Sequence, residues 1–448
     1  MIIKNAKVAL SNENDFKLLD VKIHQGKISQ VGKNLSGENE IDATGMFLFP
    51  GAIDPHVHFD DPGYTQREDF YHGSCSAVSG GVTTVIDMPC TSIPPVTNLE
   101  NLKRKLNVIK KKSVVDFGLF GGISAQSFSK HKNNMSELAE FVMGFKTYFI
   151  SGMPTFERLN YTQFADVLEF AKKLNQVVLL HAEDYDYIKK AEPVEKLKGS
   201  SWKNYYNSRP EEAEIIAVKN AVSIAEKADA NLHIVHIGTA KAGELLRDKN
   251  RITGETEPHY LEFNFDDLER IGGALKTKPV VKKRGNSEKL WKMLENGMIN
   301  FVASDHAPAP VESKSAESVW DIYCGIPGSG TLFPYLYSEG FVKRKIKLSR
   351  FLEIVSENSA KRYGFFDRKG SIEVGKDADL IMLDPNKKWI VKGDKFYSKG
   401  KITPFENKTF QGRIVKTIIR GEVVYDIEKG IVQEAGFGEF IRALPQSR

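Results

Sequence analysis

The sequence has few cysteines and no long apolar run, and each absence excludes a class of protein. Its only cysteines are Cys75, Cys90 and Cys324, which form no Cys-x-x-Cys pair, so a disulfide framework is excluded and a reducing compartment is favoured. No stretch reaches the length of about 18 apolar residues that a transmembrane helix requires, and the opening residues MIIKNAKVAL lack the apolar core of a signal peptide. We therefore expect a soluble cytoplasmic protein with no membrane partner.

An excess of charge of one sign is also absent. The chain has 63 basic and 58 acidic residues and a net charge of +5. The lysine-rich segment 101–112 alternates charged with apolar residues, a pattern typical of a solvated helix face. We therefore predict no nucleic-acid partner. The length of 448 residues leaves room for one large barrel and a smaller module.

Hydrophobic periodicity divides the chain into two kinds of region. Residues 1–50 and 372–448 contain short alternating strands punctuated by Gly and Asn, which predicts a small β-sandwich assembled from both termini. Residues 51–371 instead alternate short β-branched runs with helical stretches such as YTQFADVLEFAKKLN. Repeated βα units over so long a segment predict an α/β fold with a TIM (β/α)8 barrel.

Five apolar runs of the predicted barrel carry or end in a potential metal ligand. Catalytic residues of TIM barrels lie at the carboxyl ends of the strands. A single His at such a position is commonly structural, but five coincidences on one rim favour a functional site. His56 and His58 are two residues apart, so both side chains project to one face of an extended segment and can hold one ion. The candidate ligands are His56, His58, Lys146, His181, His236 and Asp305.

Lys146 is an unusual member of this set because an ammonium repels a metal cation. Reaction with CO₂ would turn its amine into an anionic carbamate. Such a group could bridge two divalent metals, which would then share a hydroxide and polarise a carbonyl. Imidazole and carboxylate ligands suit zinc and similar metals. The sequence thus indicates a binuclear centre with a carboxylated Lys146.

The order and spacing of several motifs resemble those of the amidohydrolase superfamily, and within it the cyclic-amide group of dihydroorotases, allantoinases and hydantoinases. These motifs span nearly the whole chain and include DPHVHF, GGVTTVIDMP, GFKTYF, HAED, LHIVHIGTA, ETEPHYL, ASDHAP and GSIEVGKDADLIMLD. The resemblance implies a distorted TIM barrel with a β-sandwich and two divalent metal ions, expected to be zinc. It also implies a small cyclic amide as substrate and a homodimer or homotetramer.

The resemblance assigns a role to each candidate ligand. His56 and His58 would bind the more buried metal, and carboxylated Lys146 would bridge the two metals. The second metal would be held by His181 and His236.

The catalytic role falls to Asp305, which would bind the first metal and act as general base. It would take the proton of the bridging hydroxide and deliver it to the departing ring nitrogen. His259 of EPHYL would lie near the site, in a supporting or a direct role.

The enzyme would be a hydrolase of the C–N bond of a cyclic amide. An inactive scaffold is the alternative from another class, and the complete ligand set argues against it. A mononuclear deaminase would lack the bridging lysine.

The substrate is less well specified, because the chain departs from the dihydroorotase pattern at two positions. Asp60 occupies the place of the arginine in HVHFREPG, and Cys90 replaces an asparagine after MP. An acid facing a substrate carboxylate would repel it, and removing one member of a buried charge pair costs about 3–5 kcal/mol. The pattern therefore favours an allantoinase-like or hydantoinase-like enzyme acting on an uncharged ureide. Dihydroorotase, which converts dihydroorotate to N-carbamoyl-aspartate, is the alternative.

A loop before the last barrel helices is the predicted substrate loop. It covers residues 321–334, and its glycines would let backbone groups approach a planar ureide. Its candidate substrate-binding residues are Cys324, Gly325, Pro327 and Gly328. Three cations in LKTKPVVKKRGN could compensate for Asp60 if the substrate is charged, namely Lys276, Lys278 and Arg284.

Overall fold

The computed structural model describes residues 1–443, in which strands and helices alternate through the middle of the chain. The last five residues of the predicted terminal module, 444–448, lie outside the described part. The strands are β1 (Ile2–Val8), β2 (Lys17–His24), β3 (Lys27–Gly32), β4 (Glu40–Asp42), β5 (Phe47–Pro50), β6 (Ala52–Val57), β7 (Val82–Asp87), β8 (Asp116–Leu119), β9 (Gly121–Gly122), β10 (Phe145–Tyr148), β11 (Val177–His181), β12 (Asn231–Ile234), β13 (Ile252–Thr256), β14 (Phe301–Val302), β15 (Leu380–Ile390), β16 (Thr409–Ile419), β17 (Glu422–Asp426) and β18 (Gly430–Ile431).

Several helices of the barrel begin at a capping side chain. Asn160 accepts a hydrogen bond from the Gln163 amide, and Asp184 accepts from the next helical amides; such caps satisfy donors that have no partner inside the helix. The helices are α1 (Phe70–Ser79), α2 (Leu99–Ile109), α3 (His131–Leu138), α4 (Tyr161–Lys173), α5 (Tyr185–Leu197), α6 (Trp202–Ser208), α7 (Glu211–Ala228), α8 (Ala240–Gly243), α9 (Pro258–Glu262), α10 (Phe265–Ile271), α11 (Asn286–Glu295), α12 (Ser329–Tyr335), α13 (Leu348–Leu352) and α14 (Asn358–Arg362).

Strands β6 to β14 form the barrel in two parallel ladders. One ladder runs β6-β7-β8, and the other runs from β9 through β14 in chain order. Because only Phe120 separates β8 from β9, these two behave as one interrupted strand and the barrel has eight strands in all. Every residue of β6 and β7 is buried, as expected for a parallel sheet covered on both faces.

The segment after β14 closes the barrel against β6. Val57 forms a parallel bridge with His306, and the Ser304 hydroxyl donates to Asp54 Oδ2 at 2.6 Å. The two-residue strands β9 and β14 are the places where the ladder is least regular. The predicted TIM barrel, distorted as the resemblance implied, is confirmed.

The terminal strands join in one sheet of nine strands, in the order β18-β17-β16-β15-β5-β1-β2-β3 with β4 beside β1. The two ends of the chain meet where β5 and β15 pair antiparallel, with Phe49 opposite Ile381. A separate apolar core lies under this sheet and includes Ile3, Val21 and Leu380. The predicted fold class, a barrel with a β-sandwich built from both termini, is confirmed, while the boundaries at residues 50 and 372 stay a prediction.

The last described segment leaves the terminal sheet and returns to the barrel. The Phe117 amide of β8 donates to the Glu439 carbonyl at 2.9 Å, and the Ile441 amide donates to Phe117 at 2.8 Å. Buried Lys369 adds an ionic tie, since its ammonium lies 2.6 Å from Asp116 of the barrel and 2.6 Å from Asp379 of the terminal module. None of the helices within residues 1–443 combines the length and the apolarity needed to cross a bilayer.

Candidate metal and catalytic site

One end of the barrel collects the six predicted ligands from five strands. His56 belongs to β6 and His58 follows it, Lys146 belongs to β10, and His181 ends β11. His236 lies two residues beyond β12, and a further ligand, Asp305, lies three residues beyond β14. Since the strands are parallel, their carboxyl ends meet at the same rim. The structure therefore brings together residues that are up to 249 positions apart in the chain.

The first group of ligand atoms surrounds the Asp305 carboxylate. Its Oδ1 lies 3.3 Å from His56 Nε2 and 3.3 Å from His58 Nε2. One ligand atom from each of the three residues lies within 4.8 Å of the others. Two imidazoles and one carboxylate at this spacing fit a single divalent cation.

The second group consists of His181 and His236. Their ring centroids are 4.5 Å apart, with the ring planes at 72°. The ring centroids of His236 and His56 are 5.6 Å apart. His236 Nδ1 is buried and has no hydrogen-bond partner among the described residues. Buried polar atoms are normally paired, so this orphaned nitrogen fits a metal ligand.

Lys146 lies on β10, next to the strand that ends in His181, and is almost fully buried, with 1% of its surface exposed. Within residues 1–443 it forms no ion pair, and its ammonium lies 5.0 Å from the ring centroid of Tyr148. Burial lowers the pKa of Lys146 to about 8, so a fraction of the side chain is the neutral amine at neutral pH. A neutral amine is the form that reacts with CO₂, and the environment therefore suits the expected carbamate.

Buried acids that sequence reasoning had not singled out orient these ligands. Glu255 Oε1 accepts from His56 Nδ1 at 2.5 Å, and its Oε2 accepts from His233 at 3.1 Å. Glu183 Oε2 lies 2.9 Å from His181 Nε2 and pairs with Arg209. Carboxylates behind metal-binding histidines fix the tautomer and the orientation of the ring. The one local sequence signal was Glu183, two residues after His181, whereas Glu255 lies 199 positions from His56.

Two of the candidate ligands occupy strained backbone conformations. His236 has a φ of 41° and Asp305 a φ of 47°, in the left-handed region that residues with a Cβ avoid. Each such residue costs about 1–3 kcal/mol. Strain of this kind concentrates where a side chain must point in a required direction, here toward the neighbouring histidines.

A cavity of about 780 Å³ opens above the candidate ligands. Its lining can be compared with the substrate-binding residues predicted from the sequence. Cys90, Cys324 and Gly325 line it. The cavity is also lined by residues that were not predicted for substrate, including Arg67, Thr91, Tyr148 and Tyr323. Four predicted substrate residues are not on its wall, namely Asp60, His259, Pro327 and Gly328.

Three of these four residues, Asp60, His259 and Gly328, are away from the cavity wall for identifiable reasons. Asp60 is buried and accepts a hydrogen bond from Arg67 Nε at 2.8 Å. His259 is fully buried, and burial lowers its pKa to about 4, so its ring is neutral. A Cβ on Gly328 would lie 2.8 Å from the Ser304 carbonyl oxygen, so its role is close packing against the segment after β14.

The three cations proposed as compensators separate into two kinds. Lys276 and Lys278 line the cavity. Arg284 is instead exposed and pairs with Asp266 at 2.8 Å. The Lys276 ammonium donates to the carbonyls of Val319 and Ile322, so it holds the substrate loop in place.

Comparison with known proteins agrees with this geometry. The model of the amidohydrolase family matches residues 47–424. An allantoinase of Rubrobacter xylanophilus is 37% identical over 435 residues, which are 95% of this chain and 94% of that protein. An allantoinase of Salmonella newport is 32% identical and covers 96% of each chain.

Solved structures give the same result for the fold. An L-hydantoinase (dihydropyrimidinase) from Arthrobacter aurescens matches with a TM-score of 0.93 at 30% identity, covering 98% of this chain and 99% of that chain. A dihydropyrimidinase from Brevibacillus agri matches with a TM-score of 0.91 at 28% identity, covering 100% and 99%. The resemblance stated from the motifs is confirmed. The dihydroorotase alternative finds no support in these comparisons.

Proposed function

The chain belongs to the amidohydrolase family, and from this premise we propose that it is a metal-dependent hydrolase that opens a small cyclic amide of the allantoin or hydantoin type. The observation that carries the proposal is the convergence of six candidate ligands from five barrel strands at one rim. Five of them line the same cavity, and the sixth, Lys146, is buried. The names of the allantoinase and hydantoinase relatives support the choice of a cyclic amide.

The donor set suits two divalent cations, which we expect to be zinc. His56, His58 and Asp305 would hold one of them, and a carboxylated Lys146 would reach both. The second cation would be held by His181 and His236. When bound, such metals lower the pKa of a water molecule and polarise a carbonyl oxygen.

Asp305 is placed to move the proton that ring opening requires. Its carboxylate faces the cavity beside both histidines of the first group. Water adds to the ring carbonyl carbon, and the ring C–N bond breaks. In this proposal the Asp305 carboxylate takes a proton from the water and returns it to the leaving nitrogen, so the ring nitrogen departs as a neutral N–H.

The cavity wall serves to keep the ring in position over Asp305. Tyr148 stacks on His181 at 5.3 Å between centroids, and its hydroxyl lies 3.0 Å from Cys90 Sγ. Gly325 adds a backbone surface to this wall, and a Cβ there would lie 2.2 Å from the Ala307 carbonyl. A flat ureide therefore meets an aromatic side on one wall and backbone groups on another.

The proposal is tested with protein that has been stripped of metal by a chelator and reloaded with zinc. Wild-type protein is expected to open at least one ring in a panel of allantoin, hydantoin and dihydrouracil, and to lose that activity on stripping. Asp305→Asn should lower kcat by about 100-fold to 10,000-fold, whereas His24→Asn, at the exposed end of β2 in the terminal sheet, should not lower it. Failure of zinc-loaded wild type on every cyclic amide would refute the proposal.

The quaternary state and the cellular location are proposed on the same grounds as in the sequence analysis. We propose a homodimer or homotetramer in the cytoplasm, supported by the family resemblance and by a cysteine usage typical of a reducing compartment. Light scattering on the purified protein tests the oligomer, and a monomer at micromolar concentration would contradict it.

A further inference from the structure

A single arginine from the loop after β6 stands on the cavity wall near the ligands. Arg67 lines the same cavity as His56, His58 and Asp305. It lies in a segment that connects the first pair of ligands to α1. The sequence places no arginine at position 60, where the resemblance led us to look for one, but the structure brings one to the cavity from position 67.

The guanidinium of Arg67 is held in a defined orientation. Its Nε donates to Asp60 Oδ2 at 2.8 Å, and Asp60 is fully buried behind it. Its guanidinium carbon lies 4.1 Å from the ring centroid of Tyr64 and 5.2 Å from that of Tyr323. A planar cation fixed by one carboxylate and two aromatic faces loses little freedom when it binds a ligand.

Most donors of this guanidinium are unused. Within the described residues its hydrogen bond to Asp60 is its only one, and Arg67 Nη2 is buried without a partner. Buried donors are normally satisfied by protein or by a ligand. An unsatisfied, preorganised guanidinium edge beside a substrate cavity fits an acceptor with two oxygens, such as a carboxylate.

The charge of the surrounding wall points the same way. Five cationic side chains and two acidic ones line the cavity. Of the acids, Glu192 is paired with Lys196 and Asp305 belongs to the candidate ligand set. Among the cations, Arg67 and Arg209 are each paired with a buried acid behind the wall, whereas Lys278 forms no ion pair with any described residue. A positive wall with unpaired donors favours an anionic ligand over a neutral one of the same shape.

We propose that Arg67 is a specificity-determining residue that binds a carboxylate carried on the cyclic amide, so that the substrate class is an anionic, carboxylate-bearing ureide ring. This rests on the proposed ring-opening function. Asp60 is then a positioning residue that acts through Arg67. The repulsion expected from an acid at position 60 does not arise, because Asp60 faces the guanidinium and not the cavity.

The experiment compares two matched substrates on each of two rings. Hydantoin and dihydropyrimidine rings are prepared with a carboxymethyl substituent and with the neutral carboxamide of the same shape. Zinc-loaded wild type should prefer the carboxylate by about 10- to 100-fold in kcat/KM, the range of hydrogen bonds to a charged group. Equal use of the two partners would overturn the inference. This comparison needs no variant.

A variant then assigns the preference to Arg67. Because Arg67→Met alone leaves Asp60 buried without its counter-charge, the double variant Arg67→Met/Asp60→Asn removes the pair together. It should lose the preference through a higher KM for the carboxylate, so that the ratio of kcat/KM for the carboxylate to kcat/KM for the carboxamide falls toward one. An undiminished preference in the folded double variant would overturn the role of Arg67.

Arg158→Met is the matched control. This arginine also stacks on a tyrosine, 3.8 Å from the ring centroid of Tyr185, but does not line the cavity. It should retain the wild-type preference. Wild-type protein that opens neither member of any pair, nor any other cyclic amide, would refute the proposed function itself. Opening of the rings without a carboxylate preference would refute the inference alone.

Discussion

We predict that Glu255→Gln lowers the affinity for zinc at the His56 site by about 10- to 100-fold. Glu255 is fully buried and bridges two histidines, with Oε1 2.5 Å from His56 Nδ1 and Oε2 3.1 Å from His233 Nε2. It touches no substrate, so a loss of metal affinity would come through the orientation and basicity of His56.

The expected loss of zinc affinity follows from which hydrogen bonds of Glu255 a glutamine can still form. The Gln carbonyl can still accept from His56 Nδ1, and its amide then faces His233. The His233 ring can change tautomer and donate to Thr253 Oγ1, which lies 2.7 Å from its Nδ1. The hydrogen bonds therefore survive and only the negative charge behind His56 is lost. Charge-assisted bonds are about twice as strong as neutral ones, so the loss is about 1.4–2.8 kcal/mol, equivalent to the stated range.

The affinity is measured by competition with a chromogenic zinc chelator, after circular dichroism has shown that the variant is folded. Glu214→Gln is the control, because Glu214 is equally buried but bonds to the amides of Gly238 and Thr239 and to Lys282. It should bind zinc as wild type does. Unchanged zinc affinity in Glu255→Gln would refute the reasoning that this carboxylate supports His56.

Three further outcomes are expected. Native mass spectrometry of wild type should show an added CO₂ that acid removes, and Lys146→Ala should lack this mass and bind less zinc. Asp305→Asn should lower kcat by about 100-fold to 10,000-fold, the contribution of a general base, in steady-state hydrolysis of a ring that wild type opens. Burial raises the pKa of Asp69, but hydrogen bonds from the His72 amide and from Lys399 outweigh it and lower the pKa to about 2. Because the folded pKa is depressed, its stabilisation is complete above about pH 4 and is lost as the pH falls through 2, about 1–2 kcal/mol after discounting for partial exposure. Denaturant unfolding of Asp69→Asn should lack this dependence.

The candidate ligand set could be proposed from sequence because its positions follow local rules. His56 and His58 share a face through the two-residue period of a strand, and His181 ends a short apolar run that was predicted to be a barrel strand. Parallel strands then bring these ends to one rim without further information. The supporting acid Glu255 could not be found in this way, since 199 positions separate it from His56 and no local pattern links the two.

The substrate wall was harder to predict because it is made of loops, in which side-chain direction depends on individual dihedral angles. Asp60 has a φ of 56°, and it points behind the wall, where it meets Arg67. The sequence interpretation matched Asp60 to the dihydroorotase arginine by its position in the motif and therefore expected its side chain to face the substrate. The class of reaction could thus be predicted from the residues at the strand ends. The selectivity could not, because it depends on the backbone path of a loop.

The loop that forms another wall of the cavity is held by buried lysine side chains and not by regular secondary structure. Lys314 is buried and donates to the carbonyls of Tyr323 at 2.9 Å and Gly325 at 2.7 Å. The Lys276 ammonium holds the preceding carbonyls of the same loop. The ammonium groups of Lys314 and Lys276 thus hold the backbone of this loop through hydrogen bonds, as strand pairing holds the backbone of a strand. Neither ammonium contacts a candidate metal ligand. We therefore infer that changes at these loop anchors and at Arg67 would alter selectivity while the candidate metal ligands on the strands keep their positions.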